Sequence, residues 1–324
     1  MKYGIVGTGW IAEAFIDAAR KKCGSDIAAV YSRNENTGNA FAAENGIGRV
    51  YTDFDEFCKA DIDCAYIASP NSFHYSQSKL LLLSGKHVIC EKPVTVTPDE
   101  YRECLEIADT NNLIYLEAIM YMHTPVRDKL REAVTKIGNI TSVHLDFSQL
   151  SSKYPAFLRG EIPNIFNPAF CTGCLMDLGI YCIYPVIDMF GISGKMQSEA
   201  VFLSSGADSG GACVMNYGSF LAVLSYSKTG QTYSPSTIIG DRGTIEIYSV
   251  SQLCGVRLIT ADKETEIISG DIPRYETMGY EAYDFECFIN GINTAKYKLC
   301  REMSLKVSEI MQQIRQQSNI KFGG

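Results

Sequence analysis

Residues 2–12 read KYGIVGTGWIA: one charged residue, a short apolar run, two glycines separated by one residue, and an alanine three further on. Lys2–Val6 has the length and composition of a buried strand, and Ile11–Lys22 continues with helical periodicity, so the glycines lie at a strand-to-helix turn. There, Gly7-Thr8-Gly9-Trp10-Ile11-Ala12 forms the GxGxxA pattern of a dinucleotide cradle. Gly7 permits a tight turn, Gly9 lets the main chain approach a pyrophosphate, and Ala12 lets helix and strand pack closely. The helix start adds free N–H groups and a partial positive charge.

Outward from this motif the alternation continues. Apolar runs at Ile27–Tyr31, Cys64–Ala68, His87–Cys90 and Ile114–Glu117 read as strands, separated by helical patterns at Gly38–Asn45, Tyr75–Ser84 and Pro98–Asn111. Such alternation implies an α/β domain with a parallel, doubly wound Rossmann sheet, here residues 1–121. After His123 the pattern changes. A helix over Pro125–Lys136 and the strand Ile140–Gln149 precede an irregular, proline-bearing stretch and a helix from Cys174 to Phe190. Runs at Glu199–Ser204, Ala212–Asn216, Phe220–Ser227, Ser236–Gly240, Thr244–Tyr248 and Val256–Thr260 then follow with turn residues between them. Residues 122–324 therefore read as an α+β domain with a large, mainly antiparallel sheet. Two terminal helices, Tyr280–Ile292 and Glu302–Gln317, end the chain, and the last is expected to be able to pack back on the first domain.

The 324 residues carry 37 acidic against 29 basic side chains and no basic block, which argues against nucleic acid or an anionic membrane surface as partner. The twelve cysteines are scattered, many inside apolar runs, as expected for reduced thiols in a cytoplasmic protein. No leader pattern or membrane-length apolar run is expected.

The end of the second strand bears on the choice of dinucleotide. Ser32, Arg33 and Asn34 stand there, and a hydroxyl beside a guanidinium suits a ribose 2′-phosphate, so NADP(H) is favoured and NAD(H) stays possible. Asp26 has the spacing of an NAD-type acid but precedes the strand, and Glu35 is the residue that could reverse the choice. Two further motifs fall at the carboxyl ends of strands: Ser69-Pro70-Asn71-Ser72-Phe73-His74, where Asn71 could instead cap the next helix, and Cys90-Glu91-Lys92-Pro93-Val94.

Four segments in order, GTGWIA, IASPNSFH, GKHVICEKP and MDLGIY, resemble the Gfo/Idh/MocA oxidoreductases over nearly the whole chain. Because the last motif ends in Tyr, it is most similar to the branch near dimeric dihydrodiol dehydrogenase. The resemblance implies a Rossmann domain, an open-faced α+β domain, and hydride transfer between NAD(P) and a sugar, cyclitol or related alcohol. It also implies that Lys92 hydrogen-bonds the reacting oxygen while Glu91 and the turn of Ser69, Pro70, Asn71 and His74 line the cofactor. Physically, a fixed ammonium stabilises the alkoxide charge present while hydride moves.

Asp177 and Tyr181 are four apart and share a helix face. Tyr181 is the expected general acid/base, helped by a nearby ammonium such as Lys92, with Asp177 orienting substrate or Lys92. The alternative for Tyr181 is a core-facing aromatic. Cys171 and Cys174 make a lone CxxC, read as packing near the pocket because no second pair completes a zinc set, and no metal is expected. Met122 stands where relatives often carry Arg, which could widen or neutralise the substrate site. His123 is a second acid/base candidate, and Tyr121, Tyr154, Tyr184 and Arg159 are possible substrate contacts. The expected function is an NADP-dependent oxidoreductase of a sugar, polyol or diol; the alternatives are a silent dinucleotide sensor and an NAD-dependent glycosidase. Apolar strand faces such as Phe220–Ser227 suggest a homodimer or homotetramer.

Overall fold

A computed structural model describes residues 1–322. The chain divides into two compact units, one of Met1–Met120 with Pro273–Leu305, the other of Tyr121–Ile272 with the chain from Lys306.

In the first unit, strands β1 (Lys2–Val6), β2 (Asp26–Tyr31), β3 (Val50–Tyr51), β4 (Cys64–Ile67), β5 (His87–Glu91) and β6 (Tyr115–Ala118) alternate with helices. These are α1 (Trp10–Cys23), α2 (Glu35–Asn45), α3 (Phe54–Cys58), α4 (Asn71–Leu83) and α5 (Pro98–Thr110). All strand pairs are parallel, in the order β3-β2-β1-β4-β5-β6. The direction of winding reverses between β1 and β4, which opens a crevice at their carboxyl ends, the usual ligand position in such sheets. Strands β4 and β6 are buried along their whole length and near-continuously apolar, as a sheet covered on both faces requires. Tyr66 of β4 stacks on Phe15 of α1 with ring centroids 3.7 Å apart. Helix α5 starts where Thr97 accepts from the Glu100 N–H and Glu100 reaches back to the Thr97 N–H, with Pro98 in the first turn. The sequence pattern missed β3 and α3, a two-residue strand and a five-residue helix too short to show a period.

The second unit begins in the short helix α6 (Met120–His123) and continues with α7 (Val126–Lys136), β7 (Ile140–Ser148) and α8 (Tyr154–Leu158). Two 3₁₀ turns (Asn164–Phe166 and Pro168–Phe170), a π-turn (Leu175–Gly179) and α9 (Ile180–Phe190) follow. Strands β8 (Lys195–Phe202), β9 (Asp208–Asn216), β10 (Leu221–Ser227), β11 (Ser236–Gly240), β12 (Gly243–Ser249), β13 (Cys254–Thr260) and β14 (Thr265–Ser269) then join β7. Their order is β14-β13-β12-β11-β7-β10-β9-β8, antiparallel throughout except between β10 and β7. Ala222, Leu224 and Tyr226 of β10 face inward with Val143 and Leu145 of β7, while Leu221 is exposed. The π-turn and α9 lie against β7 and β10. The stretch Pro168–Phe190 has the length and apolarity of a membrane span, but 72% of its most apolar window is buried in the fold, where it forms core.

Helices α10 (Arg274–Ile289) and α11 (Thr294–Gln317) start earlier than the sequence pattern indicates, because their polar first turns carry little apolar signal. Helix α10 packs on α1 in the first unit. Its Gly279 sits against the methylenes of Lys22 on α1, and Glu286 accepts a 2.6 Å hydrogen bond from Ser25.

Candidate active site

The turn after β1 is shaped by main chain. Gly7 has φ +110°, and a Cβ there would come within 2.7 Å of the Ala68 oxygen, so only glycine fits. Its N–H donates to the Tyr31 oxygen at 3.1 Å while the Ala68 N–H donates to the Val6 oxygen at 2.8 Å, tying together the ends of β1, β2 and β4. Gly9 occupies the cap position of α1 without a side-chain acceptor, and a Cβ on it would meet nothing within 4 Å. Fully buried Ala12 seats α1 on the sheet. An open, uncapped helix start with first N–H groups unused inside the helix fits a pyrophosphate. Thr8 and Ile11 flank it half-buried; Trp10 is exposed, with the Arg274 guanidinium 5.2 Å from its ring centroid.

At the end of β2 the structure separates two residues that the sequence grouped. Ser32 is buried, and its hydroxyl donates to the Asn34 oxygen at 2.9 Å while accepting the Asn34 N–H at 3.3 Å. The hydroxyl expected at a 2′-phosphate is thus committed to its own turn. Arg33 is exposed, with its guanidinium 4.9 Å from the ring centroid of Phe73 on α4. Asn34 caps α2 by accepting the Thr37 N–H at 3.0 Å, and Glu35 lies exposed in that helix's first turn.

The SPNSFH and EKP segments follow the adjacent strands β4 and β5, and His74 joins them. Its Nδ1 is 2.8 Å from the Pro93 oxygen and its Nε2 is 2.8 Å from the Ser69 oxygen, with the ring buried. Burial lowers its pKa, the two carbonyls oppose that, and the Lys92 charge lowers it again. The candidate cofactor contact is therefore a buried brace between two turns. Pro70 occupies the cap position of α4, so Asn71 is the helix's first residue and not its cap. The Ser69 hydroxyl donates to Gln77 Oε1 at 2.6 Å. Glu91 accepts from the Tyr66 hydroxyl, and buried Glu117 accepts the Val94 N–H at 2.9 Å. Lys92, half-buried, precedes a cis bond to Pro93.

In the second unit Asp177 lies inside the π-turn, a motif frequent at functional sites. The segment before it requires a glycine: Gly173 has φ +154°, and a Cβ there would overlap Asp208 Oδ1 at 1.8 Å. Asp208, wholly buried, accepts the Leu175 N–H at 2.7 Å and so anchors the first residue of the π-turn. Lys228 Nζ lies 2.6 Å from Asp177 Oδ2; the lysine side chain is 2% exposed and the aspartate 41%. Half-buried Tyr181 meets Phe147 edge-on at 5.5 Å.

Several candidates become structural. Tyr121 is buried and donates to Asp188 Oδ2 at 2.8 Å, where Arg127 also binds Asp188 with two nitrogens, at 2.6 and 2.9 Å. That core network, together with full burial of Tyr184, removes both tyrosines as substrate contacts. Met122 and His123 are buried, so Met122 is a core side chain and not a neutral substitute on a pocket wall. Arg159 is exposed and pairs with Glu161 at 2.9 Å, while Tyr154 packs on Phe157 and Phe166. Cys174 is buried with its thiol pKa pushed up by desolvation, Cys171 is half-buried and in no disulfide, and no metal-ligand cluster occurs among the described residues.

Lys228, Asp208 and the Arg33–Phe73 contact were missed by sequence reasoning. Lys228 ends an alternating strand at a turn, which looks like an ordinary solvated lysine.

Residues 1–118 match the family described as "Oxidoreductase family, NAD-binding Rossmann fold". The chain is 34% identical over 323 residues to scyllo-inositol 2-dehydrogenase (NADP(+)) IolU of Bacillus subtilis (strain 168), covering 99% of this chain and 98% of that protein. It is 24% identical over 339 residues to trans-1,2-dihydrobenzene-1,2-diol dehydrogenase of Macaca fuscata fuscata, covering 99% and 98%. In fold it matches a 3-ketoreductase from Actinomadura kijaniata solved with NADP and TDP-benzene, with a TM-score of 0.86 at 18% identity over 98% of each chain. With end-to-end similarity at this level, and the glycine cradle and EKP turn on the same sheet edge, the chain belongs to the Gfo/Idh/MocA oxidoreductase family.

Proposed function

We propose that this protein is an NADP(H)-dependent dehydrogenase that interconverts a secondary alcohol of a cyclic polyol, or a related diol, and the corresponding ketone. The observation that carries the reading is the 34% identity, end to end, with an NADP(+)-dependent scyllo-inositol dehydrogenase. The exposed Arg33 at the end of β2 supports the choice of the phosphorylated cofactor.

The bound nicotinamide supplies a two-electron acceptor for the hydride that leaves the alcohol carbon. The chain's own residues manage the proton and the charge. Tyr181 takes the hydroxyl proton and passes it to solvent as the carbon–oxygen double bond forms. Lys92 stabilises the negative charge on that oxygen, a contribution worth about 10²–10³ in kcat for a well-placed donor. Asp177 orients the polyol. Thr8, Gly9, Trp10 and Ile11 would hold the pyrophosphate through main-chain N–H groups while Gly7, its own N–H spent on the Tyr31 oxygen, makes the tight turn, and His74 keeps the Ser69 and Glu91–Lys92 turns in register beside it. The homodimer or homotetramer expected from sequence is part of this proposal, supported by exposed Leu221 and Val214 on the open sheet; sedimentation as a monomer overturns it.

The test is nicotinamide absorbance with NADP+ or NAD+ against a panel of inositol isomers, sugars and vicinal diols. Turnover of a cyclitol, faster with NADP+, is expected; tight NADPH binding without turnover of any member overturns the reading and favours a sensor. Lys92→Met and Tyr181→Phe are each expected to lower kcat by about 10²–10³ with NADPH affinity retained. A variant with normal kcat would remove that residue from the mechanism.

A further inference from the structure

We propose that Lys228 is a positioning residue for this reaction, a buried cation that holds Asp177 in its working orientation. The inference rests on the dehydrogenase reading above.

Lys228 directly follows β10, and its main chain is fixed on both sides. Its N–H donates to the Ser209 oxygen at 2.8 Å, and its own oxygen accepts the Ser151 N–H at 2.9 Å. The side chain runs inward beneath the π-turn, with Nζ 5.8 Å from the ring centroid of Phe166. A lysine this sheltered persists only where its charge is compensated. Two carboxylates do so. Asp177 lies 2.6 Å away, and Asp208 is near enough that the Lys228 charge lowers its pKa against the stronger upward effect of burial.

The two acids serve the same turn in different ways. Asp208 holds its main chain through the Leu175 N–H; Asp177 is carried on it, two residues later. One buried cation thus couples the anchor of the π-turn to the carboxylate it presents, four residues before Tyr181. The pair is also asymmetric, with a 2% exposed lysine against a 41% exposed aspartate. A pair serving stability alone has no need to leave its carboxylate open to solvent. An exposed carboxylate held from behind by a rigid cation loses rotamer freedom while it stays accessible to a hydroxyl.

The test is a double-mutant cycle with Lys228→Met, Asp177→Asn and the pair, reading kcat and KM for the polyol and the NADPH dissociation constant by fluorescence. Lys228→Met is expected to lower kcat by about 10- to 100-fold, the cost of misplacing a reacting group by about 1 Å. NADPH affinity is expected to stay within about twofold, because the cradle is shaped by the main chain of β1, β4 and α1. In the Asp177→Asn background the same substitution is expected to change kcat by less than about twofold, since the group it positions is already gone. A normal kcat in Lys228→Met, or an equal proportional loss in both backgrounds, overturns the proposal. Lys228→Gln removes the charge and keeps a polar end, one atom shorter; it replaces Lys228→Met, with the same expectations, should that variant not fold. If no polyol is turned over by the wild type, the dehydrogenase reading fails by itself. Crystal structures of wild type and Lys228→Gln then decide the positioning claim: Asp177 should leave the end of β10, and an unmoved carboxylate overturns it.

Discussion

The nucleotide edge of the first unit and the π-turn of the second are both small polar clusters, but different forces hold them. At the edge, shape comes from main chain: Gly7 in a left-handed conformation, Gly9 open at a helix start, and His74 spanning two turns through carbonyl contacts at 2.8 Å each. At the π-turn, shape comes from buried charge, with Asp208 on the Leu175 N–H and Lys228 on Asp177. A main-chain cradle is robust to side-chain change outside its glycines and the His74 brace. A charge-held turn is sensitive to loss of either carboxylate, because the Lys228 charge left behind is shielded from water.

The sharpest break of this comparison is Gly7→Val. A branched side chain at φ +110°, aimed at the Ala68 oxygen, should weaken NADPH binding by more than about 100-fold or prevent folding of the first unit. NADPH titration with a circular-dichroism control checks it, and near-native binding would break the claim that main-chain shape governs the edge. Next is Asp208→Ala, which leaves a buried N–H and a buried cation poorly paired and should cost about 2–3 kcal/mol in urea melts. Asp208→Asn keeps an acceptor for Leu175 and should cost less; equal losses would show that the Leu175 bond is unimportant.

Arg33→Ala tests the part of the nucleotide edge where a charged side chain bears on the choice of cofactor. The ratio of NADPH to NADH affinity should fall about 10-fold, with NADH affinity little changed, and an unchanged ratio would sink the cofactor assignment.

The smallest effect belongs to Glu281 of α10, a buried carboxyl whose Oε1 has no hydrogen-bond partner. Burial first, and then the nearby Glu91 charge, raise its pKa well above the usual carboxylate value. Between the unfolded value near 4.5 and that raised value, the folded state keeps a proton the unfolded chain has lost, so stability falls as pH rises. Glu281→Gln should therefore raise the melting temperature more at pH 8 than at pH 5, by about 2–4 °C for each kcal/mol recovered. The opposite pH trend in calorimetry would show that Glu281 is ionised in the fold.

Sequence and structure divide along the same line. The β/α alternation, the glycine cradle and the SPNSFH and EKP turns were legible because each is a local requirement: a period of burial, a left-handed turn, a strand end. Strand β3 and helix α3 were not, being too short to carry a period. Tyr121, Tyr184 and Met122 looked like pocket residues because an aromatic or a thioether in an apolar run reads the same whether it lines a cavity or fills a core. Burial and the Asp188 network decided that. Ser32 looked like a phosphate contact until its hydroxyl was found bonded to Asn34.

The sequence by itself determined the α/β frame, the order of the two kinds of sheet and the main-chain nucleotide cradle, since periodicity and glycine geometry are properties of neighbouring residues. Only the tertiary structure decided that Lys228 is buried against Asp177, that Asp208 anchors the π-turn from 33 residues away, and that His74 braces two turns. Those facts depend on which distant groups share a low-dielectric interior, and no local pattern encodes that.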